Sequence, residues 1–267
     1  MNKKVSVSLI ISTYNWPEAL NLCLLSVSQL NVLPDEVIIA DDGSSYETTL
    51  LIKRHQKNFP VPLVHVWQED EGFQLSRIRN KAIAKAQCDY IIQIDGDLIL
   101  HPSFVKDHID ISRKNTFVSG SRVLLNASLS NVMLTNLDTS VNVLGGGITN
   151  LLNGLRIPFV RNYLFKNYRV NDVNTVRGCN MAFWKEDLIG VNGYNESMHG
   201  WGKEDNEIAI RLVKKGLQKR TIKFGGIVFH IHHSEYSRKH VKQNVQHMEY
   251  ALRSNFSYCI KGLSQYL

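Results

Sequence analysis

The sequence predicts an α/β fold, with a mostly parallel central sheet flanked by helices and one domain over residues 1–267. Three observations lead there. Apolar, β-branched runs alternate with helix-patterned stretches through the first half, the order of βαβ units rather than of hairpins. Each run is strand-sized and ends in a cluster of Ser, Asn, Asp and Gly. A chain of 267 residues with 43% hydrophobic content also buries one sizeable core, with room for one or two insertions.

Residues 5–12, 37–40, 63–67 and 90–94 read as strands, and residues 17–30, 48–58 and 75–86 as helices. The first helix carries a start signal: Asn15 as cap, then Trp16 and Pro17, whose fixed φ suits a first turn. These elements fall in a first half, residues 1–123. Residues 124–175 break the pattern with Asn- and Gly-rich sequence, then Arg156, Arg161, Lys166 and Arg169 with no acid among them, and read as a variable insertion or lid. The remainder, 176–267, holds a strand at 180–184, a helix at 204–215, a strand at 227–230 and a C-terminal helix. In that last helix Val241, Val245, Met248, Leu252, Phe256 and Ile260 recur every three or four residues, one apolar stripe for the core.

Composition narrows the function classes. A net charge of +7 suits polyanionic partners in general. No helix-turn-helix, zinc-finger or aromatic RNA-binding pattern accompanies it, so nucleic acid is not an expected partner. No apolar run approaches the roughly 18 residues of a membrane span. The basic start, Met1 to Lys4, leads into a short β-branched stretch without a small-residue cleavage site, so a cytoplasmic protein without a secretion signal is expected. Cys23, Cys88, Cys179 and Cys259 are scattered and read as packing residues in a reducing compartment.

Ligands of such sheets collect at the carboxyl ends of strands, where three polar clusters lie: Ser12-Thr13-Tyr14-Asn15, Asp41-Asp42-Gly43-Ser44 and Asp95-Gly96-Asp97. Each alone could be an ordinary turn. Together they crowd carboxylates on one edge, which costs electrostatic energy unless a cation or hydrogen-bond donors offset it. Asp95 and Asp97 flank a glycine that permits a tight turn, and one or two carboxylates plus phosphate oxygens suffice for Mg²⁺ or Mn²⁺. Gly200-Trp201-Gly202-Lys203-Glu204-Asp205 reads either as a packed Trp before a helix start whose acids complement the dipole, or as an aromatic wall for a sugar ring beside a carboxylate that can accept a proton. His230, His232 and His233 follow a strand near the proposed cation. In a strand His230 and His232 face one way and His233 the other, and His230 is the preferred ligand.

These residues resemble family 2 glycosyltransferases of the GT-A (Rossmann-like) fold. Residues 72–80, Arg177-Gly178-Cys179-Asn180 and the Gly200–Asp205 segment are similar to chondroitin polymerase and β-1,4-galactosyltransferase relatives. The resemblance covers the chain except about 124–170. It implies that Asp42 holds uracil or ribose, that Ser12 and Tyr14 line the base, and that Arg79 faces the diphosphate. It also implies that Asp95, Gly96 and Asp97 form the DxD motif binding Mn²⁺ or Mg²⁺ and the sugar diphosphate. A late histidine completes the metal shell, His230 matching best and His233 the rival. By the same resemblance Asp205 is the general base, Glu204 orients hydroxyls and Trp201 contacts sugar.

The expected activity is metal-dependent, inverting transfer of a sugar from a UDP-sugar to a hydroxyl of a glycan or lipid-linked glycan, in bacterial surface polysaccharide synthesis. A nucleotidyltransferase and a non-catalytic carbohydrate-binding protein are the alternatives. The first lacks its Gly-rich basic phosphate loop at 12–17, and the second leaves the converging acids unexplained. Arg156, Arg161, Lys166 and Arg169, interleaved with Phe159, Tyr163, Phe165 and Tyr168, form an expected contact with an anionic membrane at its inner face.

Overall fold

Parallel strands covered on both faces must be apolar throughout, and every residue of the first two strands is buried. The computed structural model describes residues 5–234 and 237–267, so the basic start at 1–4 lies outside the described residues. In chain order the elements are β1 (Val7–Thr13), α1 (Pro17–Ser28), β2 (Glu36–Asp41), α2 (Tyr46–Gln56), β3 (Leu63–Trp67), α3 (Leu75–Lys85), β4 (Tyr90–Asp95), β5 (Leu98–Leu100), α4 (Phe104–Ile111) and β6 (Thr116–Ser119). There follow β7 (Val123–Leu125), α5 (Ala127–Asn136), β8 (Ile148–Thr149), α6 (Pro158–Asn167), β9 (Asn180–Trp184), α7 (Lys185–Gly190), α8 (Glu204–Lys214), β10 (Gln218–Thr221), β11 (Val228–His230) and α9 (Val241–Arg253).

The main sheet has the order β10-β6-β9-β4-β1-β2-β3, with β9 antiparallel to both neighbours and the rest parallel. This is the expected α/β architecture. One apolar core joins Leu9, Ile11, Ile39 and Ile92 to α1, and another joins Ile10, Ile38 and Ile91 to α3 and α8 across the other face. A smaller sheet, β5-β11-β7-β8, covers a third core with Ala19, Leu22, Ile99, Met133 and Phe229. All four cysteines are buried and unpaired, as packing residues should be. Among the described residues no helix is long and apolar enough to cross a membrane.

Four expectations need correction. Asn15 does not cap α1, whose N-cap is Trp16 with Pro17 following. Asn15 instead accepts from the Ser45 N–H (2.7 Å) and donates its own N–H to Ser44 Oγ (2.9 Å), tying the β1 and β2 loops together. The 124–175 stretch is not a bare lid, because β7 and β8 extend the small sheet and Met133 of α5 enters its core.

The basic set around α6 divides. Arg156 and Arg161 both bind Asp107 of α4, which is fully buried, and Arg161 is 2% exposed. Phe165 is buried as well, leaving Phe159, Tyr163, Lys166 and Arg169 outward. The acid that pairs these arginines lies some fifty residues earlier, out of reach of any local charge count.

The C-terminal helix stops at Arg253, short of Phe256 and Ile260, and Leu252, Phe256 and Ile260 are exposed. Lys214 at the end of α8 donates to the carbonyls of Ala251, Leu252 and Ser254, which closes the helix. The face that does bury carries Asn244 and Ala251.

Candidate active site

Register brings the three loops together. β1 lies between β2 and β4 with Thr13 opposite Asp41 and Ser12 opposite Asp95, so all three polar clusters share one edge. Gly96 serves this junction: its N–H donates to Ser12 O (2.7 Å), and a Cβ there would lie 3.1 Å from that oxygen. Its part is close strand packing rather than a left-handed turn.

A second register brings together three side chains that could hold a cation. β5 begins immediately after Asp97, and Leu98 faces His230 across β11. Asp97 Oδ2 thereby lies 3.5 Å from His230 Nε2 and 3.2 Å from His233 Nε2, with the ligand atoms of all three within 4.8 Å. Asp97 Oδ1 is buried without a hydrogen-bond partner, a costly arrangement that a cation would relieve. Burial alone would raise the Asp97 pKa, but His233 and His230 outweigh it and hold it low. Burial lowers His230, which favours the neutral imidazole that binds metals, while the hydrogen bond to Asp97 raises His233. One carboxylate and two imidazoles suit borderline Mn²⁺ better than Mg²⁺, which prefers oxygen ligands and retained waters.

The strand-alternation argument fails after His230 because β11 ends there. His233 turns back toward Asp97, edge-on to Trp16, whereas His232 is exposed and donates its N–H to Ser130 Oγ (2.8 Å). Asp95 also departs from expectation, since its Oδ1 accepts from Arg79 Nη2 (3.2 Å) and it lies outside the Asp97–histidine group.

The acid pair is presented by a strained turn. Gly200 (φ 69°), Gly202 (φ 107°) and the non-glycine Lys203 (φ 76°) all adopt left-handed backbone. Asn244 of α9 steadies the turn by donating to the carbonyls of His199 (3.0 Å) and Gly202 (2.9 Å). Helix α8 then opens with Glu204 and Asp205, whose charge the helix N-terminus favours. Trp201 stands 41% exposed beside them in sequence.

Arg79 from α3 is 1% exposed, so it does not face a diphosphate as expected. Its Nη1 donates to Asp205 Oδ1 (3.0 Å), its Nη2 to Asp95 and its Nε to Ser12 Oγ (3.4 Å), over the Tyr194 ring. Burial opposes its charge, but Asp205, Tyr194, Asp95 and Glu204 outweigh that and hold its pKa above the ordinary value. One guanidinium thus ties Asp95 and Asp205 together. Gly178 makes this possible, because a Cβ there would sit 2.1 Å from Asp205 Oδ2. Burial, reinforced by Asp205 and opposed by Arg79, raises Glu204 to about 7.

At the β2 edge Asp42 is buried, accepting from Gln68 Nε2 (2.6 Å) and from the Gln74 N–H (2.9 Å), and burial raises it to about 6. Ser12 is also buried, against Arg79. Tyr14 is the open member of this set, 42% exposed with its hydroxyl donating to Asp70 (2.9 Å). Arg122, which the sequence did not single out, is half-buried near the cation site and acts electrostatically on Asp95, His230 and His233. Its guanidinium makes a long 4.0 Å approach to Cys179 Sγ, with no carboxylate at ion-pair distance among the described residues. It lies on a connection with no strand or helix signal, which explains why it was missed.

Comparison with known proteins converges on one class. The sequence model of glycosyl transferase family 2 matches residues 8–189, and that of the N-terminal domain of galactosyltransferase matches residues 162–234. Chondroitin synthase of Escherichia coli is 28% identical over 240 residues, covering 84% of this chain and 34% of that protein. Hyaluronan synthase of Pasteurella multocida is 28% identical over 239 residues, covering 83% of this chain and 24% of that protein. The chain thus spans about a quarter to a third of the length of these relatives. Among solved structures, the mannosyltransferase PcManGT from Pyrobaculum calidifontis, in complex with GDP-Man and Mn²⁺, superposes with TM-score 0.63 at 17% identity, covering 95% of this chain and 66% of that one. GalNAc-T7 with UDP, GalNAc and Mn²⁺ gives TM-score 0.64 at 16% identity, covering 93% and 48%. The fold is GT-A.

Proposed function

This chain belongs to glycosyl transferase family 2, and we propose that it moves a hexose or N-acetylhexosamine from a UDP-sugar to a hydroxyl of a glycan or lipid-linked glycan, with inversion. The observation carrying this reading is that Asp97, His230 and His233 bring their ligand atoms within 4.8 Å of one another, while Arg79 holds both Asp95 and Asp205. Residues 1–123 and the small sheet take the donor, and the Trp201–Asp205 turn with α9 takes the acceptor, in a single domain.

Asp97, His230 and His233 would hold Mn²⁺, or less readily Mg²⁺, which offsets diphosphate charge when bound. Arg122, with no carboxylate at ion-pair distance among the described residues, acts electrostatically on His230 and His233 and takes the diphosphate role expected of Arg79. Tyr14 offers an open face to the base. Asp205 takes the proton as the acceptor oxygen bonds to the anomeric carbon, while the carbon–phosphate-oxygen bond breaks and UDP leaves with its electron pair. Its contact with Arg79 (3.0 Å) fixes the carboxylate's position. One displacement from an α-linked donor yields a β-glycoside, and the acceptor we propose belongs to surface polysaccharide synthesis. Incubation with UDP-sugars, Mn²⁺ and oligosaccharide acceptors should release UDP only when an acceptor hydroxyl is present at rate. Release of pyrophosphate from a sugar phosphate and nucleotide, or binding without turnover, would overturn this reading in favour of the alternatives.

A further inference from the structure

The C-terminal stripe that fails as a helix reappears in another form. Between Arg253 and the short 3-10 helix at Leu263–Gln265 the chain forms no helix or strand, and burial alternates from residue 256 to 260: Phe256, Tyr258 and Ile260 are 66%, 52% and 99% exposed, whereas Cys259 is 6% exposed and Ser257 half-buried. Three large apolar side chains at every second residue therefore form an outward ridge, with Tyr250 and Leu252 exposed just before it.

The ridge is held, not frayed. Lys214 binds the carbonyls at its start. The Cys259 N–H donates to Val191 O, its carbonyl accepts from Asn192 Nδ2 (2.7 Å), and Leu263 is fully buried behind it. A fold that pins both flanks of an apolar ridge while leaving it wet presents it to something. The charge beside it selects what: Lys214 and Lys215 end α8 next to the start of the ridge, and Arg253 and Lys261 flank the ridge itself, all exposed, with Glu249 pairing Arg253 at 3.3 Å. Aromatic and aliphatic side chains set among cations match the interface of a bilayer with anionic head groups, where rings sit at head-group level and Lys and Arg meet phosphates.

We propose that Phe256, Tyr258 and Ile260, with Arg253 and Lys261, form a docking ridge for an anionic membrane surface. The ridge stands at the far end of α8 from the acid pair, since Lys214 anchors it and Glu204 and Asp205 open the same helix, about 15 Å away at 1.5 Å per residue. Docking there keeps the acids clear of the bilayer and within reach of a sugar carried on a lipid head group. On the expected α6 surface, by contrast, Arg161 and Phe165 are buried and Arg156 is paired with Asp107.

The test is co-sedimentation with vesicles of phosphatidylcholine alone or mixed with phosphatidylglycerol, with no sugar nucleotide present, so that it stands apart from the catalytic reading. The wild type should pellet with the anionic vesicles and weakly with the neutral ones. Phe256→Ser with Ile260→Ser, both at exposed positions, should reduce that by at least about tenfold, while Phe159→Ser on α6 changes nothing. Arg253→Gln with Lys261→Gln should weaken binding to anionic vesicles alone. Equal sedimentation of the ridge variant and the wild type would overturn the proposal, as would a wild type that ignores anionic vesicles. A ridge variant that passes from dimer to monomer in solution would also overturn it, assigning the ridge to a second copy of the chain.

Discussion

Replacing Gly178 by alanine adds one methyl group at the point where the account is most exposed. Gly178 lies outside the left-handed region, so its backbone accepts alanine and the effect is steric. The methyl would lie 2.1 Å from Asp205 Oδ2 and 2.4 Å from Oδ1, whereas ordinary contact begins near 3.4 Å. The carboxylate must therefore retreat by more than an ångström, breaking its 3.0 Å contact with Arg79. A buried guanidinium that loses one charged partner costs about 1.5–3 kcal/mol of stability. An ångström of displacement at a reacting group costs on the order of 10²-fold in turnover. UDP and Mn²⁺ should still bind, because Asp97 lies just before β5, His230 ends β11 and His233 follows it, away from Gly178 in sequence. Steady-state UDP release, calorimetry with UDP and Mn²⁺, and the denaturation midpoint read the three consequences. A kcat within about twofold of wild type, or UDP binding lost as heavily as turnover, would refute the reasoning.

His233→Ala should weaken Mn²⁺ binding by at least about tenfold while His232→Ala leaves it unchanged, because of these two only His233 reaches Asp97; calorimetry with Mn²⁺ distinguishes them. Arg122→Gln should raise the KM for the UDP-sugar by about 10- to 100-fold with a smaller change in kcat, as loss of a charge-assisted contact to phosphate requires. Stability should fall as pH drops from 6.5 toward 4, partly through His108, which burial depresses to about 4. In that window the unfolded chain binds a proton the folded one refuses, so the contribution is full above 6.5 and lost as pH falls through 4, as much as about 3 kcal/mol. Denaturant unfolding at both pH values should show a smaller drop for His108→Gln; an equal drop assigns the loss to other groups.

The parallel half of the fold was legible because buried strands are apolar runs and their ends are marked by Asp, Gly and Asn. Every element expected through residue 94 forms within two residues of its expected bounds. Asp97 and Asp205 were legible for the same reason, each sitting at the mouth of a recognisable element. What escaped depends on distance in sequence. Arg79 reads as an open cation until Asp95, Asp205 and Ser12 close around it, and the last two lie 126 and 67 residues away. Arg156 and Arg161 read as surface charge until Asp107 appears beneath them. His233 escaped first choice because alternation was carried past the end of β11, and the terminal stripe was read with a helical period where the chain alternates.

The central claim is that the acids divide their labour, Asp97 holding the donor through a cation and Asp205 accepting the proton. Asp205→Asn keeps an oxygen for Arg79 to bind and removes only the basicity, so one experiment measures both jobs: calorimetry of UDP with Mn²⁺, and single-turnover transfer, on Asp205→Asn and Asp97→Ala side by side. The account predicts that Asp205→Asn binds UDP and Mn²⁺ like the wild type while transfer falls on the order of 10²–10⁴-fold, and that Asp97→Ala loses both. Near-normal transfer by Asp205→Asn, or loss of its UDP binding together with its activity, would contradict the division and move the base to Glu204.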